Sequence, residues 1–433
     1  MKPARLKPAD KVNPLPWMTA PATRAVIAAL TTGGAEARFV GGCVRDTMLG
    51  RAVKDIDIAT HLNPHEVMKL LGAAEIHAIP TGIEHGTVTA VIGKEHFEIT
   101  TLRRDVETFG RRARVAFTGD WAEDAARRDF TMNALFLAPD GTLYDPFGGL
   151  EDLKRGRVRF VGDARQRIVE DVLRLLRFFR FFAHYDKGAP DADALAACRE
   201  LAAELPSLSG ERIGAETLRL LEAPDPATAL ELMAAEGILG HFLPEARAFG
   251  RLRALAALEA RGMSGLTNDA LRRLACVIEA DGPGADQVAD RLRFSNAEKG
   301  RLRDLVVTSD YVESAVDADD EGRMVAARRA LYHLGRENFR DLVALRWASD
   351  LAGRDPAGAD TAGFEALLDA GTHWVAVLLP VAGKDVVALG IEVGPEVGEH
   401  LRTIEAWWED RDFAPDRQAC LAQLKRLITG KAG

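Results

Sequence analysis

The sequence predicts an α+β fold: an N-terminal head built on a mixed sheet, followed by a neck, body and tail made of helices. Two observations predict it. Short β-branched or alternating runs, bounded by Gly, Pro or Asp, cluster between Ala37 and Leu143. From Gly162 onward those runs vanish, and Ala, Leu, Arg and Glu recur at three- and four-residue spacing. At roughly 100–200 residues per domain, a chain of 433 residues holds about two to four domains, each able to bury its own core. The pattern divides it into a leader and helix (1–36), a head (37–150), a neck (151–240), a body (241–350) and a tail (351–433).

The first 36 residues read as a proline-broken leader and one short amphipathic helix, Ala20 to Leu30. In the head, ARFVGG, KDIDIAT, HGTVTAVIG, HFEITTL and NALFLAP are strands. After the second strand Asn63 caps a helix that has Pro64 at its first position. Beyond the head, breaks near Pro190, Pro206 and Pro224 cut the chain into helix pairs.

Composition narrows the function classes. With 65 acidic against 56 basic residues the net charge is −9, which argues against a generic basic nucleic-acid coat protein and is silent about a local patch. Residues 151–180 are such a patch, with nine Lys or Arg against five Asp or Glu. Cys43, Cys198, Cys276 and Cys420 are too dispersed for a zinc site and too few for a secreted scaffold, so a reducing cytoplasm is expected. The N-terminus is interrupted by prolines and lacks the apolar stretch of a signal peptide. The longest apolar run, Trp374 to Gly383, contains Pro380 and falls short of the ~20 residues a membrane span needs, so no membrane partner is expected.

The chemistry concentrates in Phe39-Val40-Gly41-Gly42-Cys43-Val44-Arg45-Asp46 and in Lys54-Asp55-Ile56-Asp57-Ile58. On a strand, Asp55 and Asp57 project from one face while Ile56 and Ile58 anchor the other. Two carboxylates that close repel unless a cation lies between them, and Mg²⁺ takes one or two carboxylates together with substrate phosphates. The Gly41-Gly42 turn frees backbone N–H groups for phosphate, with Arg45 alongside. A dinucleotide-binding reading is dismissed, because the glycines are not spaced G-x-G-x-x-G.

Together, GG-x-x-RD-x-x-LG-x(4)-D-x-D resembles the nucleotidyltransferase motif of the DNA polymerase beta superfamily, and within it the class II branch of bacterial CCA-adding enzymes and poly(A) polymerases. The resemblance implies a polymerase beta-like head in which Asp55 and Asp57 hold two Mg²⁺ ions, and Gly42 and Arg45 contact the incoming nucleotide. Glu98, in His96-Phe97-Glu98-Ile99, stands where the superfamily often has a third catalytic carboxylate; a structural ion pair is the alternative. Arg127-Arg128-Asp129-Phe130-Thr131-Met132-Asn133-Ala134 matches the RRDFT-x-NA segment, implying that Arg128 binds nucleotide. The stretch before it, Asp105 to Asp120 with Arg111, Arg112 and Arg114, looks like the flexible loop used in switching to ATP.

The strongest match is Glu170-Asp171-Val172-Leu173-Arg174-Leu175-Leu176-Arg177-Phe178-Phe179-Arg180-Phe181. At ~100° per residue, Asp171, Arg174, Arg177 and Arg180 wind across one side of a helix whose other side is apolar. A carboxylate accepts from an exocyclic amino group and a guanidinium donates to a ring nitrogen, so an Asp/Arg pair fits cytosine and adenine and rejects uracil and guanine. The resemblance implies that this helix reads CTP and ATP, so that Asp171, Arg174, Arg177 and Arg180 bind nucleotide, Asp171 and Arg174 reading one base edge together while Arg180 looks elsewhere, toward phosphate. Ser209-Gly210-Glu211-Arg212-Ile213-x-x-Glu216 resembles the following neck motif, with Ser209 as a helix N-cap. Gly394-Pro395, in a further family-like segment, either offers N–H groups to RNA phosphate or simply starts a helix.

The implied activity is template-independent addition of CCA to the 3′ end of tRNA from CTP and ATP, with Mg²⁺ as cofactor. Poly(A) synthesis, partial addition (CC or A alone) and a non-catalytic RNA-binding role remain alternatives, and the oligomeric state is open.

Overall fold

The computed structural model describes residues 6–109, 112–185, 187–307, 309–353 and 360–430, without the side chains of 105–115. The chain falls into two compact units, Met1–Pro244 and Glu245–Gly433. The first opens with β1 (Pro8–Lys11), the single turn α1 (Pro16–Thr19), α2 (Pro21–Leu30) and β2 (Ala37–Val40). Then come α3 (Gly42–Met48), β3 (Ile56–Thr60), α4 (Pro64–Ala73), β4 (His77–Gly82), β5 (Thr87–Ile92) and β6 (Glu95–Thr101). A hairpin of β7 (Arg103–Phe109) and β8 (Arg112–Phe117) precedes α5 (Trp121–Ala126), β9 (Phe136–Leu137) and β10 (Thr142–Tyr144).

Eight strands form one sheet in the order β1-β10-β9-β2-β3-β6-β5-β4. It is mixed, as the sequence predicts: β3 and β6 run parallel and the other neighbours antiparallel. A parallel pair needs a crossover, and the segment from α4 through β5 supplies it. The cap on α4 is as read: Asn63 Oδ1 accepts from the Glu66 N–H at 3.0 Å and Glu66 returns a bond to the Asn63 N–H. Val40, Ala59, Leu102, Trp121 and Phe136 share the core beneath the site, with the Trp121 ring edge-on to Phe136 at 5.1 Å.

Three features of the head depart from the sequence reading. The leader is no passive lead-in, since β1 pairs with β10 and closes one sheet edge; its exposed, charged composition hides that role. β4, absent from the sequence reading, contains Pro80, shifts register between Ile79 and Gly82, and forms the other edge, where a missing ladder N–H costs little. The stretch read as a flexible loop contains the paired strands β7 and β8. Gly110 and Arg111 lie outside the described residues, as do the side chains of Arg112 and Arg114.

The neck helices are α6 (Gly149–Arg155), α7 (Ala164–Glu170), α8 (Leu173–Tyr185), α9 (Ala192–Leu201), α10 (Gly210–Leu221) and α11 (Pro226–Ala235). The Glu170–Phe181 stretch is therefore not one helix. Asp171 is extended (φ −153°, ψ 105°), and its Oδ1 accepts the Leu173 N–H at 3.2 Å, so it ends α7 and caps α8. Ser209 stands at the N-cap of α10 but makes no side-chain capping bond. Phe178 of α8 stacks on Phe160 with ring centroids 5.9 Å apart, Phe181 meets Phe130 tilted at 45° and 4.9 Å, and Phe130 and Phe160 also bridge through their backbones. Aromatic pairs add ~0.5–1.5 kcal/mol each beyond their burial. This cluster seats α8 against the segment that carries Arg128.

The second unit is helical: α12 (Phe249–Ala260), α13 (Ala270–Val277), α14 (Gly282–Arg291), α15 (Asn296–Val306), α16 (Asp310–Asp317), α17 (Asp320–Gly353), α18 (Thr361–His373), α19 (Gly383–Ala388), α20 (Pro395–Glu409) and α21 (Arg417–Gly430). Gly335, at φ 74°, breaks the long α17. Gly394 does sit at the start of α20, and Trp408 is buried among the tail helices. No described helix is long and apolar enough to cross a membrane.

Candidate active site

β2 delivers the chain to Gly41, whose φ of 71° and ψ of −129° only glycine adopts readily. A Cβ there would lie 3.5 Å from Asp57 Oδ2 and 3.7 Å from Arg128 Nη1, so three segments distant in sequence meet at this turn. Sequence reasoning selected Gly42, the first residue of α3; the strained glycine beside the carboxylate is its neighbour.

Asp57 lies within β3, while Asp55 is exposed and just precedes the strand. The register of the parallel pair sets Asp57 directly opposite Glu98 on β6. Burial, then the Glu98 charge, push the Asp57 carboxyl up to about 6; Asp55 adds to this, while Arg128 and Arg45 oppose it. The Glu98 charge acts on Asp57, whose carboxyl it helps to raise.

Arg45 is held on several sides. Its Nε and Nη2 donate to Asp46 at 3.0 and 3.1 Å, and its Nη1 donates to Asn133 Oδ1 at 2.9 Å. Its guanidinium lies over the rings of Tyr185 and Phe181, 4.5 and 5.3 Å from the centroids. Asn133 in turn donates to Asp129 Oδ1 at 3.0 Å, and Asp129 Oδ2 accepts from Arg177 Nε at 2.8 Å. Burial disfavours the Asp129 charge, but the Arg177 guanidinium and the hydrogen bonds from Asn133 and the Phe130 N–H prevail and hold it down at about 2. The chain continues from Arg177 to the buried Glu216 at 3.7 Å and from Glu216 to Arg180 at 3.2 Å. Burial, with Arg177 and Arg219 nearby, lowers Arg180 to about 10 against the pull of Glu216.

The remaining residues expected to read the base also have partners. Arg174 donates to Glu170 at 2.7 Å and to the carbonyls of Arg167 and Arg127, each at 3.0 Å. Both Asp171 oxygens lie 2.9 Å from Arg212 Nη2. Asp171 and Arg174 are thus neighbours across a helix start, not successive turns of one helix. Arg212 and Glu216 were placed in a neck motif by sequence; nothing local signals that they reach these side chains.

A carboxylate turn on a mixed sheet, closed by an arginine-rich neck helix, defines a nucleotidyltransferase head. The family model of the poly A polymerase head domain matches residues 37–159, and that of the probable RNA- and SrmB-binding site of polymerase A matches residues 189–249. Among full-length relatives, the chain is 35% identical to the mitochondrial CCA tRNA nucleotidyltransferase 1 of Danio rerio, over 90% of this chain and 87% of that protein. It is 33% identical to the CCA-adding enzyme of Lactococcus lactis, over 91% and 94%. A crystal structure of the Bacillus stearothermophilus CCA-adding enzyme in complex with CTP superposes with a TM-score of 0.67 at 29% identity, covering 94% of this chain and 97% of that one. The chain belongs to the family of CCA-adding enzymes, the CCA tRNA nucleotidyltransferases.

Enzymes of this kind use a divalent metal, and the residues present fit one. Asp57 is raised by burial and then by the charges of Glu98 and Asp55, which Arg128 and Arg45 only partly offset, and a divalent cation would relieve that excess of negative charge. Among the described residues no three His, Cys, Asp or Glu side chains form a closed metal cage. An open pair of carboxylates suits an ion that shares its remaining ligands with substrate phosphates.

Proposed function

We propose that the protein completes the 3′ CCA end of tRNA, adding nucleotides from CTP and ATP without a nucleic-acid template, with Mg²⁺ held by Asp55 and Asp57. The observation that carries this reading is the meeting of Asp57 and Arg128 at the Gly41 turn, with Glu98 opposite Asp57 on the neighbouring strand. The tRNA 3′ hydroxyl gives up its proton to solvent, its oxygen forms a bond to the α-phosphorus, the bond from that phosphorus to the bridging oxygen breaks, and pyrophosphate leaves. Asp55 and Asp57 would hold the Mg²⁺, which would supply the positive charge that lowers the pKa of the attacking hydroxyl and offsets the charge on the leaving pyrophosphate. Glu98 adds negative charge to the metal-binding face. Arg45 and Arg128 hold the triphosphate, with the Gly42 N–H beside them.

Base selection falls to Asp171 and Arg174, with Arg177 and Arg180 behind them. The Asp171 carboxylate remains partly open, and Arg174 is fixed at its side by Glu170 and two backbone carbonyls. A cytosine or adenine amino group satisfies Asp171, whereas uracil or guanine leaves a polar group unpaired at a cost of ~1–3 kcal/mol. The described cysteines are all free and buried, which supports a reducing cytoplasm as the compartment.

The test offers purified protein tRNAs lacking the last three, two or one nucleotides, with one labelled nucleotide at a time. The reading expects C, C and A to be added in turn and then a stop, with Asp55→Ala abolishing incorporation. Processive A addition to arbitrary RNA would replace it with poly(A) synthesis. A product ending after the second C, or only the final A, would mark a partial enzyme.

A further inference from the structure

Asp124, on α5, has a side chain only 1% exposed and belongs to none of the motifs that point to nucleotide. Its two oxygens serve different partners. Oδ2 accepts from Nε and Nη2 of Arg128 at 3.2 and 2.9 Å. Oδ1 accepts from Nε of Arg127 at 2.9 Å and from the backbone N–H of Arg103 at 3.3 Å, and lies 2.8 Å from Arg127 Nη2 in an ion pair. Arg103 is the first residue of β7, and the hairpin's other root is tied beside it, where the Thr118 N–H donates to the Leu102 carbonyl at 2.9 Å.

The fork uses two of the three nitrogens of Arg128 and leaves Nη1, the atom that faces Asp57 across Gly41. A guanidinium on a long side chain has many rotamers; a buried bidentate carboxylate removes that freedom before any ligand arrives. A simple pair would also cancel the charge that attracts a phosphate. Here one carboxylate serves two guanidinium groups, two positive charges against one negative, so the cluster keeps one net positive charge.

We propose that Asp124 is a positioning residue: it aims Arg128 at the incoming nucleotide and couples that aim to the root of the β7–β8 hairpin. The proposal rests on Arg128 binding nucleotide, as assigned above. Asp124→Asn keeps the shape but replaces one acceptor oxygen with a donor and removes the charge.

The experiment measures KM and kcat for CTP and for ATP in Asp124→Asn, Arg128→Ala and the double variant, with thermal unfolding of each. Asp124→Asn is expected to raise both KM values about tenfold while kcat changes by less than about threefold. In the Arg128→Ala background it is expected to add no more than about twofold, because both changes remove one interaction. Hydrogen exchange at the Arg103 N–H is expected to quicken about tenfold in Asp124→Asn. A wild-type KM in Asp124→Asn, or fully multiplicative effects in the double variant, would overturn the positioning role while leaving Arg128 as a nucleotide ligand. A wild-type KM in Arg128→Ala would instead overturn the assignment on which it rests. Unchanged exchange at Arg103 would remove the coupling to the hairpin. Should Asp124→Asn fail to fold, Asp124→Glu keeps the charge and displaces the fork by one methylene; a raised KM is expected there too, and a wild-type value overturns the proposal.

Discussion

Asp57 and Glu98 stand directly opposite one another on the parallel strands β3 and β6, so adjacent strands, ~4.8 Å apart, put two carboxylates on one face. That arrangement stores repulsion in the free protein, and a cation relieves it.

Asp57→Asn is expected to abolish nucleotide transfer and to stabilise the metal-free fold. The Asp57 carboxyl is raised from an ordinary 3.8 to about 6, so folding favours its protonated form. Its contribution is favourable below about 4 and is lost as pH rises through about 6. A shift of about two units corresponds to ~3 kcal/mol at most. In chelator, the variant should melt above the wild type at pH 8, and the gap should close at pH 4. Added Mg²⁺ should raise the wild-type Tm at pH 8 and leave the variant nearly unmoved. A variant that melts lower at pH 8 would contradict the carboxylate repulsion.

Asp129→Asn acts in the opposite direction. The Asp129 carboxyl is held at about 2 against an ordinary 3.8, so its stabilisation is present above about 4 and lost as pH falls through about 2. The variant should lose ~2–4 kcal/mol at pH 7, because Arg177 keeps only the Glu216 oxygen at 3.7 Å. Denaturant midpoints measured from pH 7 to pH 2 should converge. A constant difference across that range would place the effect outside this ion pair.

Tyr185→Ala should raise the KM for both nucleotides about three- to tenfold, consistent with the ~0.5–2 kcal/mol of a cation–π contact on Arg45. Tyr185→Phe should behave as wild type, since the hydroxyl lies 3.4 Å from Asp46 and the ring face makes the contact. Equal losses in the two variants would assign the role to the hydroxyl instead.

In the second unit, Arg272 is 1% exposed and joins Glu259 to Asp341, the latter at 2.7 Å. Arg272→Ala leaves both acids short of a partner, although Arg273 and Arg301 still reach them. A loss of ~3–5 kcal/mol is expected, read from urea unfolding. A cost below ~1 kcal/mol would show that the neighbouring arginines compensate.

Much of the head was legible because its chemistry is local. The Gly41-Gly42 turn, the placing of Asp57 on β3 with Asp55 just before it, and the Asn63 cap are fixed by residues within a few positions of one another. The break at Asp171 was not, because the apolar spacing of Leu173, Leu175 and Leu176 runs on past it and no Gly or Pro marks it. What breaks the helix is a side chain bonding its own backbone two residues on, together with Arg212 from 41 residues away. Asp124 and Tyr185 escaped notice for the same reason. Each matters through the residue it touches in space, and neither carries a spacing that announces it.

The carboxylates along the Arg45–Asn133–Asp129–Arg177–Glu216–Arg180 chain have a thermodynamic consequence for the ligand. Immobilising long cationic side chains costs entropy, and a site made of free arginines would lose it at every encounter with a nucleotide. Here the loss is incurred once, during folding. On the proposed function, an incoming nucleotide would meet side chains already in place, and less of its binding free energy would go into ordering the protein at each round of addition.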